Sequence, residues 1–165
     1  MKLSAQEEYG LRCLLQMASR GDAASLSIPE ISRAEGLSVP NVAKLMRLLR
    51  IAGYVKSVRG QAGGYTLAKP AKEILVGAVL ESLGGKLFGS RFCDRHSGLE
   101  PVCVHNSDCS MRVLWIGLQN ILEKVLFNAT VADLLQKQDL MQNMLESQHG
   151  TLILPETAKL RVITV

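Results

Sequence analysis

A chain of 165 residues, 47% apolar and 21% charged, has room for one packed domain and an accessory element, and its composition excludes a disordered protein. Aromatic residues make up only 4%, so Leu, Ile, Val, Met and Ala must fill the core, which favours packed helices over a β-sandwich. The net charge is only +4, but between Gly36 and Lys72 there is no Asp or Glu, while Lys44, Arg47, Arg50, Lys56, Arg59, Lys69 and Lys72 fall there. A one-signed stretch of this kind marks either a polyanion-binding surface or a solvated basic face.

Glu7, Glu8 and Arg12 interrupt the first residues before any secretory signal develops, and no window reaches the roughly 20 apolar residues of a membrane span. A cytoplasmic protein with reduced thiols is expected, its four cysteines serving as ligands, sensors or core residues rather than disulfides.

Ser4-Ala-Gln-Glu7 reads as a capping box opening a helix from about Ala5 to Ala18, with Leu11, Leu14, Leu15 and Ala18 on its apolar face. Cys13 shares a stripe with Tyr9 and Met17 and is expected to be a small buried hydrophobe. Ser27-Ile-Pro-Glu30 repeats the capping pattern for a short helix that Gly36 ends. Ser38 can cap a third helix running to about Ala52, with Val42, Leu45, Leu49 and Ala52 toward the core and Asn41, Lys44 and Arg47 on another side. Two short helices joined by a tight glycine turn make a helix-turn-helix. Tyr54–Val58, the basic Gly-rich tip Arg59–Gly64 and Tyr65–Leu67 then form a hairpin placed as a wing.

Helical patterning resumes from Glu73 to Leu83 and stops at Gly84-Gly85. From Lys86 to Ser110 periodicity disappears, and this stretch carries Cys93, Cys103 and Cys109. A long helix from about Met111 to Phe127 has an apolar stripe of Leu114, Leu118, Ile121, Leu122 and Val125, with Val113, Trp115 and Ile116 elsewhere on its surface. A helix apolar on more than one side needs more than one partner, so dimerisation is expected. Thr130-Val-Ala-Asp133 can cap a further helix through Leu135, and Thr151–Leu154 and Arg161–Val165 are β-like runs in a tail with no assigned role. The expected fold is mainly α with a small β-wing: a winged helix-turn-helix (1–83), a cysteine-bearing loop (84–110), a long dimerisation helix with a following helix (111–137) and the tail (138–165).

Ser38, Asn41, Lys44 and Arg47 have the side chains that reach base edges and phosphates in a major groove, while Arg59 and Gly60 at the wing tip suit the narrow minor groove. Cys93 and Cys103 stand ten positions apart and Cys109 six further on, which is not the spacing of common zinc fingers. Three thiolates in a polar loop suit a soft metal or an iron–sulfur cluster. A fourth ligand has to come from His96, Glu100, His105, Asp108 or elsewhere. Zinc in a three-cysteine, one-histidine site and three metal-free redox thiols are the competing readings of the site, and the alternative function is a cluster-free or zinc-stabilised winged-helix regulator that responds to a metabolite or a partner protein. A redox enzyme or electron carrier lacks support, since there is no nucleotide-binding glycine fingerprint and no CxxC.

Met1-Lys-Leu-Ser with Tyr9, Ile31-Ser, Gly36-Leu-Ser38, Leu48–Arg50, Gly53, Val58-Arg-Gly60, Gly63-Gly-Tyr65, the three-cysteine loop before Leu114-Trp115, and Asn128–Leu134 together resemble the IscR/NsrR/RirA regulators of the Rrf2 superfamily over about residues 1–140. The resemblance implies a homodimer that binds a palindromic DNA operator. It also implies a [2Fe-2S] or [4Fe-4S] cluster on Cys93, Cys103 and Cys109 that answers to redox state, nitric oxide or iron supply. IscR-like members carry a histidine ligand where this chain has Arg112, which cannot serve as one. NsrR-like members use an acidic residue from the other subunit, and the matching position here is Glu8 of the partner subunit. Arg12, four residues on, is then expected to hold Glu8, either as a supporting partner of the ligand or in an ordinary surface ion pair. Glu7 is a poorer candidate, its carboxylate being engaged in the capping box.

Overall fold

The computed structural model describes residues 3–59, 63–86, 88–89 and 92–149. The described residues up to Leu135 form one compact unit and those from Gln136 to His149 a second. Gly60 and the β-like runs at 151–154 and 161–165 lie outside the described residues.

Helix α1 (Ala5–Ala18) opens on the expected box: Ser4 accepts from the Glu7 amide, and the Glu7 carboxylate accepts the Ser4 N–H at 2.8 Å. Helix α2 (Ile28–Glu35) repeats the device with Ser27 and Glu30 and ends at Gly36, whose left-handed φ of 65° suits a residue without a Cβ. Glu30, fully exposed, is held below its ordinary pKa by hydrogen bonds from the Ser27 hydroxyl and amide. Helix α3 (Val39–Ile51) follows Ser38, whose hydroxyl makes no capping bond. The three helices close around Cys13, Leu14, Met17, Ile31, Val42, Leu45, Met46 and Leu49. Two expectations shift by part of a turn. Gly10, Cys13, Leu14 and Met17 form the inner face of α1, leaving Leu11 and Leu15 half-buried, and Met46 enters the core where Ala52 was expected. Ala52 is exposed because it already lies past the end of α3.

Strands β1 (Val55–Val58) and β2 (Gly64–Leu67) pair antiparallel, Val55 opposite Leu67 and Val58 opposite Gly64. Leu26 adds a third rung: its amide donates to the Tyr65 carbonyl at 2.9 Å and its carbonyl accepts from the Tyr65 amide at 2.8 Å. The wing is thus stitched to the segment just before α2.

A single 3-10 turn, Ala71–Glu73, precedes α4 (Val76–Gly84), so the helix starts three residues later than its sequence pattern implies. The cause is a long-range pairing. Leu75 bridges Thr130, the Val76 amide donates to Ala129, and the Val131 amide donates to Ile74. These bonds hold Ile74 and Leu75 extended, and they seat Ala129 and Val131 in the core. Thr130 and Asp133 make the expected reciprocal cap, but it opens only the 3-10 turn Asp133–Leu135.

Helix α5 (Ser110–Leu126) contains no buried residue. Its Trp115 side packs against Phe88, while Val113, Leu114, Ile116, Leu118 and Ile121 are exposed. In the second unit, α6 (Gln138–His149) is a helix for which the sequence reading had no assignment. Among the described residues no helix is long and apolar enough to cross a membrane.

Candidate nucleic-acid interface and cysteine loop

Burial of Val42, Leu45, Met46 and Leu49 turns the opposite side of α3 outward. Ser38, Lys44 and Arg47 are exposed there and Asn41 is half-buried, as a recognition helix requires. Arg59 is exposed at the end of β1. Among the described residues none of Lys44, Arg47, Arg50, Lys56 and Arg59 is in an ion pair, so these cations are available to phosphates. Lys69 instead lies over the Tyr54 ring, 5.4 Å from its centroid.

Cys93, Cys103 and Cys109 are free and half-buried. Each begins a tight backbone turn: the Cys93 carbonyl accepts from the His96 amide, that of Cys103 from Asn106, and that of Cys109 from Arg112. Cys109 caps α5 through its backbone alone. An aromatic group supports the loop from below, with Phe88 stacked on Trp115 at 5.1 Å and Phe92 edge-on to Phe88 at 5.4 Å. Phe92 also stacks on His96 and accepts a hydrogen bond through its carbonyl at His96 Nδ1, 2.7 Å away. A carbonyl only accepts, so Nδ1 is the donor in this contact. His105, Asp108 and Glu100 are exposed.

Among the described residues no three His, Cys, Asp or Glu side chains meet at a point where one metal ion would sit. An iron–sulfur cluster is held by cysteine thiolates. Three half-buried thiols on one loop fit it in donor chemistry.

Glu8 is exposed on α1. The expected Glu8–Arg12 pairing does not form. Arg12 Nε donates to Glu35 Oε2 at 2.9 Å and Nη2 to the Glu35 carbonyl at 2.8 Å, with the guanidinium over the Tyr9 ring. The end of α2 offers a carboxylate and an uncapped carbonyl together, a better acceptor for a planar guanidinium than one exposed carboxylate. Sequence reasoning missed two further elements of the site, the Leu26–Tyr65 rung and an Arg112–Asn106 contact, because neither partner is near the other in a recognisable pattern.

Cys13 is wholly buried. Burial pushes its thiol up to about 12, Glu35 adds to the shift and Arg12 opposes it. In the unfolded chain a thiol titrates near ~8.5, so it releases its proton first as pH rises. Stability from this group is therefore whole below about pH 8.5 and drains away toward pH 12, at most about 1.4 kcal/mol per pH unit. Denaturant titrations across that range are expected to show a shallower alkaline decline for Cys13→Ala than for the parent. Identical declines would show that Cys13 is not shielded.

Residues 3–137 match the Rrf2 family, described as iron-dependent transcriptional regulator. The chain is 36% identical over 140 residues to the protein Rrf2 of Nitratidesulfovibrio vulgaris, covering 85% of this chain and 91% of that one. Among solved structures it is similar to IscR of T. potens, with a TM-score of 0.65 and 30% identity over 82% of this chain and 86% of that chain. It is also similar to CymR, the global cysteine regulator of B. subtilis, with a TM-score of 0.65 and 29% identity over 82% and 96% of the respective chains.

Proposed function

Because the chain belongs to the Rrf2 family of transcriptional regulators, we propose that it works as a cytoplasmic homodimer whose DNA binding is set by an iron–sulfur cluster on Cys93, Cys103 and Cys109. It is a DNA-binding regulator and not an enzyme. Ser38, Asn41, Lys44 and Arg47 read the major groove of a palindromic operator, and Arg59 and Gly60 reach the minor groove beside it. The observation that carries the sensing role is the set of three half-buried free thiols on one loop between α4 and α5. Glu8 of the partner subunit supplies a fourth, exchangeable ligand, and it does so without Arg12, which is held by Glu35. When bound, the cluster supplies a centre that changes with redox state, nitric oxide or iron supply. The chain's own part is to hold the thiols half-buried, with Cys93 beside the Phe88–Trp115 stack. The loop's changes then pass to α5 and so to the spacing of the two recognition helices.

Anaerobic purification with visible absorption and native mass spectrometry tests this. The dimer is expected to be coloured. Cys93→Ser, Cys103→Ser and Cys109→Ser are each expected to be colourless, and Cys13→Ala coloured. Operator affinity is expected to differ between loaded and stripped protein, to fall on Arg59→Ala and Lys44→Ala, and to decline with salt at a log–log slope of about −0.9 per phosphate neutralised. Colourless protein from cells replete in iron would sink the cluster. The likeness to CymR then favours a cluster-free regulator whose three thiols respond directly.

A further inference from the structure

We propose that Arg112 is a positioning residue that fixes the spacing of Cys103 and Cys109. Val104, His105, Asn106, Ser107 and Asp108, the stretch between the two thiols, are all exposed, so no packing holds them in place. The order they have comes from hydrogen bonds that run through one side chain. Arg112 Nη2 donates to the Asn106 carbonyl at 3.1 Å and to Asn106 Oδ1 at 2.9 Å. The Asn106 amide in turn donates to the Cys103 carbonyl at 3.0 Å, and the Arg112 amide donates to the Cys109 carbonyl at 3.1 Å. Cys103, Asn106, Arg112 and Cys109 thus close a ring, with α5 as its rigid side.

A guanidinium suits this work. It always carries its proton, donates several hydrogen bonds in a fixed plane and has no lone pair for a metal. It therefore shapes the site without entering the ligand set. Arg112 also lines a cavity of about 300 Å3 together with Cys93, Asp94, Phe92 and Trp115. The same side chain that spaces two thiols borders the space beside the third.

The purpose of the clamp rests on the cluster reading, but its existence does not, and apo protein tests it. The full chain is stripped, reduced and treated with iodoacetamide, and alkylation of each cysteine is followed by mass spectrometry. Arg112→Ala keeps a good helix former in the first turn of α5. It is expected to speed alkylation of Cys103 and Cys109 about fivefold, the change in population that one modest hydrogen bond controls. Cys13 is expected to stay protected, which reports an intact core. The direction of change separates the clamp from a purely electrostatic role: thiolate is the nucleophile, so losing a nearby cation by itself slows alkylation. Asn106→Ala is expected to have a smaller effect, and the double variant to react no faster than Arg112→Ala alone. Arg112→Lys, which still donates to the same oxygens, is expected to restore most of the protection. Trp115 is the chain's sole tryptophan, so its emission is expected to shift in Arg112→Ala.

Unchanged or slower alkylation in Arg112→Ala overturns the proposal. So do additive effects in the double variant, or acceleration that includes Cys13. In loaded protein the same variant is expected to lose its colour to a chelator faster. If no cluster is found at all, the apo measurements still decide the clamp.

Discussion

Ile121→Glu is expected to run as a monomer in light scattering and to bind operator at least a hundredfold more weakly. Helix α5 has no buried residue, and Leu114, Leu118 and Ile121 recur along it at one-turn spacing with 38% or more of each exposed. A helix left in this state by its own chain asks for a second copy. Ile121 is 60% exposed, so the substitution removes little from the protomer itself. In a two-fold interface the change appears twice, and each glutamate is buried without a partner, at about 3–5 kcal/mol. A monomer then meets a palindrome one half-site at a time and loses the gain from binding both together, roughly 100-fold or more. Retention of the dimer by this variant would place the subunit contact elsewhere.

Gly64→Ala is expected to unseat the wing. A Cβ at residue 64 would stand 2.5 Å from the Leu26 carbonyl oxygen, 2.7 Å from its carbon and 3.0 Å from the Ser27 nitrogen. All three are backbone atoms, which cannot rotate aside as the end of a side chain can. Either β2 or the segment before α2 must move, and both Leu26–Tyr65 hydrogen bonds go with it. A loss of about 2–4 kcal/mol follows, and a fall in Tm of roughly 10 °C. The loss of operator affinity should exceed that of Arg59→Ala, because the whole hairpin is displaced rather than one contact. A variant with parental Tm and affinity would mean that the rung is dispensable.

These cases show which parts of the molecule are written locally. The Ser4–Glu7 and Ser27–Glu30 boxes close over three residues, so residue type at fixed spacing was enough to read them. The β-hairpin and the Gly36 turn were legible for the same reason. Leu26 and Tyr65, or Leu75 and Thr130, are too far apart in sequence for any periodicity to link them. Their pairing delayed the start of α4, and no helical pattern records that. The choice of Met46 over Ala52 for the core follows from where α3 stops, and element ends are the least certain part of a pattern reading. At the site, cysteine type and placement singled out the three thiols of one loop, which are free and half-buried. The destination of Arg12 was not legible, because a neighbour four residues away in the helix competed with the end of α2.

The return of Ala129 and Val131 to the core has a consequence for how such a regulator can diversify. The chain leaves the DNA-binding body after α4 and rejoins it beside Leu75, so everything between is an excursion with both ends fixed. Lengthening an excursion adds closure entropy only slowly, about 0.6 kcal/mol for each doubling. The body is completed by residues on either side of the excursion rather than by those within it. The loop before α5 can be lengthened or trimmed while the recognition helix and wing stay in register. The fold therefore completes the core beneath the recognition helix and wing without residues of the excursion.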